Sequence, residues 1–415
     1  MKNLPKKHKD YQENKKQGKT CLLMYSGGVD TSICVVLLQK YYGYKVITAT
    51  VDLGQKFQNP KEMGEKAIKL GAIKHLTIEA SEEFVKNWVL SAILANAYYD
   101  EKYCLSTSLA RPLTAKKCVE AAKKLKVDSI AHGCKGRGAD AFRINMVFKF
   151  LAPDLPVVLP IHDWNPTRQE EAEFAHKEEI PIPVDYKNPF SYDENLWGVA
   201  INYGTIDEIE KSVPEEAFKW TVRPQEAPEK GEKVIIEFYQ GRPISINGKE
   251  KELTAIIENL NKIGGVHGIG RKDMIENGLY GNKFRWVYES PAADILLSAH
   301  KELEKAVLPK QTLYFKEQVI DKKWAELAYY SYWYSPLMAG LTGFIKQMQK
   351  YVTGSITLFL YKGSIAIIKR SSPCSIVKSI YPEIKDFVPF GYEEYLFSST
   401  HPGNVKNILN EKGNL

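Results

Sequence analysis

The sequence predicts an α/β fold, a parallel-sheet domain followed by an α+β domain, and three observations predict it. From Cys21 to Ile78, apolar runs of strand length alternate with helix-length runs, a β-α-β-α-β rhythm that builds a parallel sheet covered on both faces. The first strand runs straight into SGGVDTS (26–32), a glycine turn followed by a polar helix start. A proline-marked stretch, IPIPVDYKNPF (180–190), then separates this rhythm from hairpins and long helices.

Each element has its own reason. Cys21 to Tyr25 is a short apolar strand; Gly27 and Gly28 allow a sharp turn and close approach to an anion. Asp30, Thr31 and Ser32 stand at the start of the helix, where unpaired N–H groups and the helix dipole favour negative charge. Such a loop suits a phosphate, although it has neither the lysine of a Walker loop nor the G-x-G-x-x-G fingerprint. KVITATV (45–51) is the second strand, 62–70 a helix and 75–78 the third strand. A helix over 82–97 leads to KYCLSTSLARP (102–112), a hydroxyl-rich turn. DSIAHG (128–133) is another strand, with CKGRGADAFR and a helix from about Asp140 at its carboxyl end. Two glycine-rich strand ends on one sheet can grip one triphosphate from both sides, beyond the carboxyl ends of the strands. VVLP (157–160) and a helix over 167–179 complete the domain.

Beyond the proline segment, KVIIEFYQGRPISING reads as a hairpin, and 252–262 as a helix stopped by Gly264-Gly265. The stretch 321–351 is mostly helical, with the aromatics of AYYSYWYSP in the core rather than in a ligand cage. SITLFLYKGSIAIIK alternates around Lys362-Gly363 as a hairpin. The domain reading is a basic disordered tail over 1–18, a nucleotide-binding domain over 19–182, a second domain over 187–375 and a C-terminal segment over 376–415.

Composition narrows the function. The chain is 415 residues long with 44% hydrophobic and 26% charged residues, ordinary for a globular protein of two or three domains. It has no apolar run of membrane-spanning length and no signal-peptide stretch after Met1. The six scattered cysteines, without metal spacing, fit reduced thiols in the cytoplasm. The formal charge is +7, of which residues 1–20 carry +5 from seven lysines and two acids. The remainder is close to neutral, so neither a nucleic-acid surface nor a membrane partner is expected.

SGGVDTS resembles the pyrophosphate loop of the N-type ATP pyrophosphatases, which have a Rossmann-like HUP fold. Eight further blocks follow: VDLGQ, STSLARPL, IAHG with KGRGAD, YDENLWG, GIGRKDMIEN, VYESP, AELAYYSYWYSP and TGSITLFLYKG. In that order and spacing they resemble the argininosuccinate synthase family over most of the chain. The resemblance implies an ATP-dependent C–N ligase that adenylylates the ureido oxygen of citrulline and lets the aspartate amine displace AMP. ATP and Mg²⁺ are expected, with no metal ligand assigned, and a homotetramer in arginine biosynthesis. Residue by residue, the nucleotide would meet Ser26, Gly27, Gly28, Asp30, Thr31, Ser32, Val51 and Gly133. Citrulline would meet Tyr103, Ser108, Arg143, Ser191, Glu276 and Tyr288, the Arg143 fork taking a carboxylate and Glu276 an ammonium. Asp30, Ser32, Asp140 and Arg143 would carry the chemistry.

The resemblance weakens around the amino acids. Where the family grips aspartate with Thr, Asn and Asp, this chain has Lys135, Ala139 and Asp140. A serine contact to citrulline is replaced by Ala200, and Asn145 stands where an acid is usual. Three alternatives therefore accompany the main reading: the same adenylylation with a different amine acceptor, a tRNA-modifying pyrophosphatase, and a non-catalytic nucleotide-binding relative. Prolines at 382, 389 and 402 interrupt the place of the family's long C-terminal helix, so the tetramer rests on resemblance alone.

Overall fold

A computed structural model of the chain describes residues 6–55, 59–135, 139–181 and 190–377. Residues 182–189 of the proline segment expected as the domain boundary, and the C-terminal segment from 378, lie outside the described residues. Five parallel strands form the first sheet: β1 (Thr20–Met24), β2 (Lys45–Asp52), β3 (Lys74–Glu79), β4 (Ser129–His132) and β5 (Val157–Val158). Their order is β3-β2-β1-β4-β5, so the winding reverses between β1 and β4. A crevice opens at such a reversal, beyond the carboxyl ends of the two strands. The glycine loop and Gly133 both fall there.

The remaining strands are β6 (Ser191–Asn195), β7 (Gly198–Asn202), β8 (Glu232–Tyr239), β9 (Arg242–Ile246), β10 (Lys249–Glu250), β11 (Arg271–Asn277), β12 (Lys283–Glu289), β13 (Gly354–Tyr361) and β14 (Ser364–Ser371). They make two antiparallel sheets, β11-β12-β7-β6 and β10-β9-β8-β13-β14. Both predicted hairpins are present as β8–β9 and β13–β14.

Strand alternation divides the first sheet between two cores. Cys21, Leu23, Val46 and Ala131 face a core closed by the helices Val29–Lys40 and Arg168–Lys177. Leu22, Ile47, Ala49 and Ile130 face the other way, into a core that continues through the helices Ser106–Leu125 and Pro291–Val307 to β8 and β13.

Several expectations are corrected. Part of the supposedly disordered tail is the helix Tyr11–Gln17. It is pinned because buried Asn14 donates to the Tyr42 carbonyl at 2.9 Å, while the His8 ring stacks on Tyr42 with ring centres 4.9 Å apart. Gly264 and Gly265 do not stop a helix; both lie inside Leu253–Val266. A Cβ on Gly264 would stand 2.8 Å from Pro291 Cβ, and one on Gly265 would stand 2.3 Å from the Trp220 carbonyl oxygen. Close packing, not termination, requires those glycines. The turn expected up to Pro112 is already helix from Ser106, because the Tyr103 hydroxyl accepts the free N–H groups of Thr107 (3.0 Å) and Ser108 (3.1 Å). Pro112 lacks the N–H that would bond the Ser108 carbonyl, so the ladder misses one rung there.

Candidate active site

The loop after β1 is compact. Gly27 adopts φ +75°, a conformation that side chains rarely take, and a Cβ there would stand 2.8 Å from the Met63 side chain. Gly28 is extended and serves as the N-cap of Val29–Lys40, so Asp30, Thr31 and Ser32 lie in its first turn. The Ser26 and Thr31 hydroxyls lie 3.2 Å apart, Thr31 donates to the Gly28 carbonyl at 3.3 Å, and Ser32 is buried with its hydroxyl 3.3 Å from that of Tyr25. The loop is thus tied by its own hydroxyls. Gly133 ends β4 against it: a Cβ there would be 3.0 Å from Thr31. Val51 is buried near the carboxyl end of β2, where its carbonyl accepts from Gln55 at 3.3 Å.

Three cations surround this loop. Lys66, from the helix Pro60–Lys69, donates to the Gly27 carbonyl at 3.0 Å. Lys135 pairs with buried Glu171 at 2.8 Å. Burial pushes the Asp30 carboxyl up, and Lys135 and then Arg168 pull it back. Lys135, expected beside the aspartate, therefore has its ammonium turned toward Asp30 of the glycine loop and Glu171.

A second cluster joins the first domain to the sheet β11-β12-β7-β6. Antiparallel register puts Tyr288 opposite Ala200, and Ala200 opposite Asp193. Glu276, Ser191 and Asn195 share their face by the two-residue repeat. Buried Glu276 accepts from Tyr288 at 2.5 Å and from Tyr329 at 2.7 Å. Burial raises its carboxyl pKa despite these hydroxyls and nearby Arg143. The Tyr103 ring lies against that of Tyr288 with centres 4.5 Å apart, and Ser108 donates to the Tyr103 hydroxyl at 3.3 Å. Ser191 is exposed at the start of β6, and Ala200 is buried.

Arg143, from Ala139–Leu151, is buried under this cluster. Its Nε donates to the Tyr329 carbonyl at 2.9 Å, and Nη1 pairs with Asp140 at 3.0 Å. The two-armed grip expected of it is thus half committed within the protein, leaving Nη2 for a ligand oxygen among the described residues. Asp140 also receives Arg111 Nε at 2.8 Å, and the other end of Arg111 pairs with Asp193. Burial pushes the Asp140 carboxyl up, but the two guanidinium groups outweigh it and hold it below the usual range. Ala139 is half-buried in the first turn of the same helix.

Sequence reasoning missed Lys66, Arg111, Asp193 and Tyr329. Three of them sit inside blocks already quoted, STSLARPL, YDENLWG and AELAYYSYWYSP. Tyr329, expected in the core, is both buried and part of the cluster: the Arg143 guanidinium lies 4.6 Å from its ring centre. Among the described residues, no group of three or more His, Cys, Asp or Glu side chains could hold a metal ion, and no helix is long and apolar enough to cross a membrane.

Residues 20–181 match the family model of the arginosuccinate synthase N-terminal HUP domain, and residues 190–390 that of the arginosuccinate synthase C-terminal domain. The chain is 46% identical over 360 residues to the argininosuccinate synthase of Methanococcus maripaludis, covering 87% of this chain and 90% of that one. It is 45% identical over 373 residues to that of Methanocaldococcus jannaschii (90% and 92% covered) and 46% over 351 residues to that of Pyrococcus furiosus (85% and 84%).

Proposed function

Since the chain belongs to the argininosuccinate synthase family, a family of C–N ligases, we propose that it activates citrulline with ATP and joins it to aspartate. The ureido oxygen attacks the α-phosphate and pyrophosphate leaves; the aspartate amine then displaces AMP, giving argininosuccinate. A urea oxygen is a poor leaving group, and adenylylation makes it a good one. One observation carries the reading. The Arg143–Asp140–Arg111–Asp193 chain runs from the helix that follows β4 to β6 of the second sheet, and Arg143 also holds the Tyr329 carbonyl beside Glu276, which supports a nucleotide and an amino acid meeting at this junction.

The roles follow from the charges. The loop N–H groups and hydroxyls of 26–32 take the phosphates. Glu276 takes the citrulline ammonium, which restores the charge that burial disfavours, while Arg143 Nη2 takes a carboxylate oxygen and Tyr103 and Tyr288 exclude water. Asp140, kept ionised by two arginines, is a poor proton acceptor; it attracts and orients the incoming amine. No protein nucleophile is needed. Mg²⁺ would arrive on the triphosphate and supply charge neutralisation; Asp30 is the one carboxylate of the loop placed to meet it, which suits an ion that keeps most of its ligands as water and phosphate. The reading also places the enzyme in the cytoplasm, as a tetramer.

Incubation with ATP, Mg²⁺ and citrulline, with and without aspartate, should yield AMP and argininosuccinate only when aspartate is present, followed by chromatography and mass spectrometry. No AMP under any condition would overturn the reading. Pyrophosphate exchange with citrulline but no argininosuccinate would favour a different amine acceptor, the alternative that Ala139 and the diverted Lys135 motivate.

A further inference from the structure

The glycine loop has no lysine of its own, yet a leaving pyrophosphate carries several negative charges. The sheet order puts β1 between β2 and β4, so the loop after β1 has one neighbouring strand end on each side. A lysine follows each of those neighbours. Lys66 comes from the helix after β2 and reaches the Gly27 carbonyl at 3.0 Å. Met63, one turn earlier on the same helix face, presses on the Cβ position of Gly27. Lys135 comes from the loop after β4, with its ammonium 2.8 Å from Glu171.

Lys66 is half-buried and, among the described residues, has no carboxylate partner; the Gly27 carbonyl takes one of its three N–H groups. A cation withdrawn from water without a counter-charge is unfavourable, and desolvation lowers its pKa. An arriving anion would remove that penalty. Lys135 is different: its charge is shared by Glu171 and Asp30, two acids that would otherwise repel a phosphate from the loop.

We infer that Lys66 and Lys135 form a split cation clamp for pyrophosphate, one lysine from each side of the loop, in place of the single lysine of a Walker loop. The inference rests on the proposed ATP chemistry and adds the residues that hold the leaving group. Lys66 binds phosphate oxygens while anchored on the Gly27 carbonyl. Lys135 moves part of its contact from Glu171 to the phosphates. AMP lacks the pyrophosphate and does not use the clamp.

Calorimetric titration of the full chain with pyrophosphate, ATP and AMP tests this. Lys66→Met and Lys135→Met should each weaken pyrophosphate and ATP binding about 10- to 100-fold, the loss of one charge-assisted hydrogen bond, and leave AMP affinity unchanged, which also reports an intact fold. Lys66→Arg should keep most of the pyrophosphate affinity. The double variant Lys135→Met/Glu171→Gln should stay weak; full recovery would mean that Lys135 only neutralises Glu171, and would overturn its half of the clamp. Unchanged pyrophosphate binding in both single variants overturns the whole inference. Wild-type protein that binds neither ATP nor AMP would instead sink the proposed function.

Discussion

At the scale of single residues, His132 shows how a buried ring sets a pH limit. Its Nδ1 accepts the Cys134 N–H at 3.2 Å, which leaves the proton on Nε2, facing Asn145 Oδ1 at 3.2 Å. Burial pushes the imidazole down to about 4, against the opposing pull of Asn145. The folded pKa lies below the unfolded value of about 6.5, so the unfolded chain binds more protons between those limits and stability falls as pH drops from about 6.5 to 4. We expect His132→Gln to flatten the pH dependence of urea midpoints across that window. Asn145→Asp should shift the imidazole up, read by nuclear magnetic resonance titration; an unmoved His132 would contradict the pairing. Burial thus keeps this histidine neutral while uncharged Asn145 opposes it only weakly, which sequence alone does not reveal, since positions 132 and 145 meet only through β4 and the following helix.

At the scale of elements, glycine substitutions should split by surroundings. Gly265→Ala places a Cβ 2.3 Å from the Trp220 carbonyl oxygen, in a helix whose Gly265 carbonyl also accepts the Val222 N–H at 3.0 Å. The gain in helix propensity, about 1 kcal/mol, is outweighed by displacement of that contact, so we expect a net loss of about 1–3 kcal/mol in chemical unfolding. Gly343, inside Pro336–Gln349 with nothing within 4 Å of its Cβ position, should gain about 1 kcal/mol on the same substitution. Equal effects at the two sites would contradict the packing argument. The same pair explains what could be read beforehand. Strand alternation, hairpin turns and the β-α-β rhythm are local signals, and both the parallel sheet and the hairpins follow from them. Gly264-Gly265 carries the local signature of a helix end, and only distant Pro291 and Trp220 give it another meaning. The glycine loop is legible because its residues are contiguous. The second cluster is legible only through the family resemblance, because Glu276, Tyr288, Tyr329 and Arg143 come from four elements and their pairing depends on sheet register. Arg111 is hidden in a stretch that reads as a turn, and Lys66 carries the signature of an ordinary helix charge.

At the scale of the whole molecule, the main core runs from Leu22 and Ile47 of the first sheet through Trp324 to Val234 and Leu360 of the last. The two domains therefore share apolar packing alongside the polar contacts of the site. We expect one calorimetric unfolding transition for the full chain, and a fragment of residues 20–181 that exposes the Leu22–Ile130 face and lacks a cooperative transition of its own. Two separate transitions, or a fragment as stable as the whole, would contradict this. Asp140 sits on that shared seam, gripped by Arg111 from one helix and Arg143 from its own, with Arg111 reaching on to Asp193. A carboxylate fastened from both sides has almost no rotational freedom left to lose. In the proposed reaction, an amine that docks against it meets a rigid anvil, so discrimination between acceptors would fall to the softer groups around it.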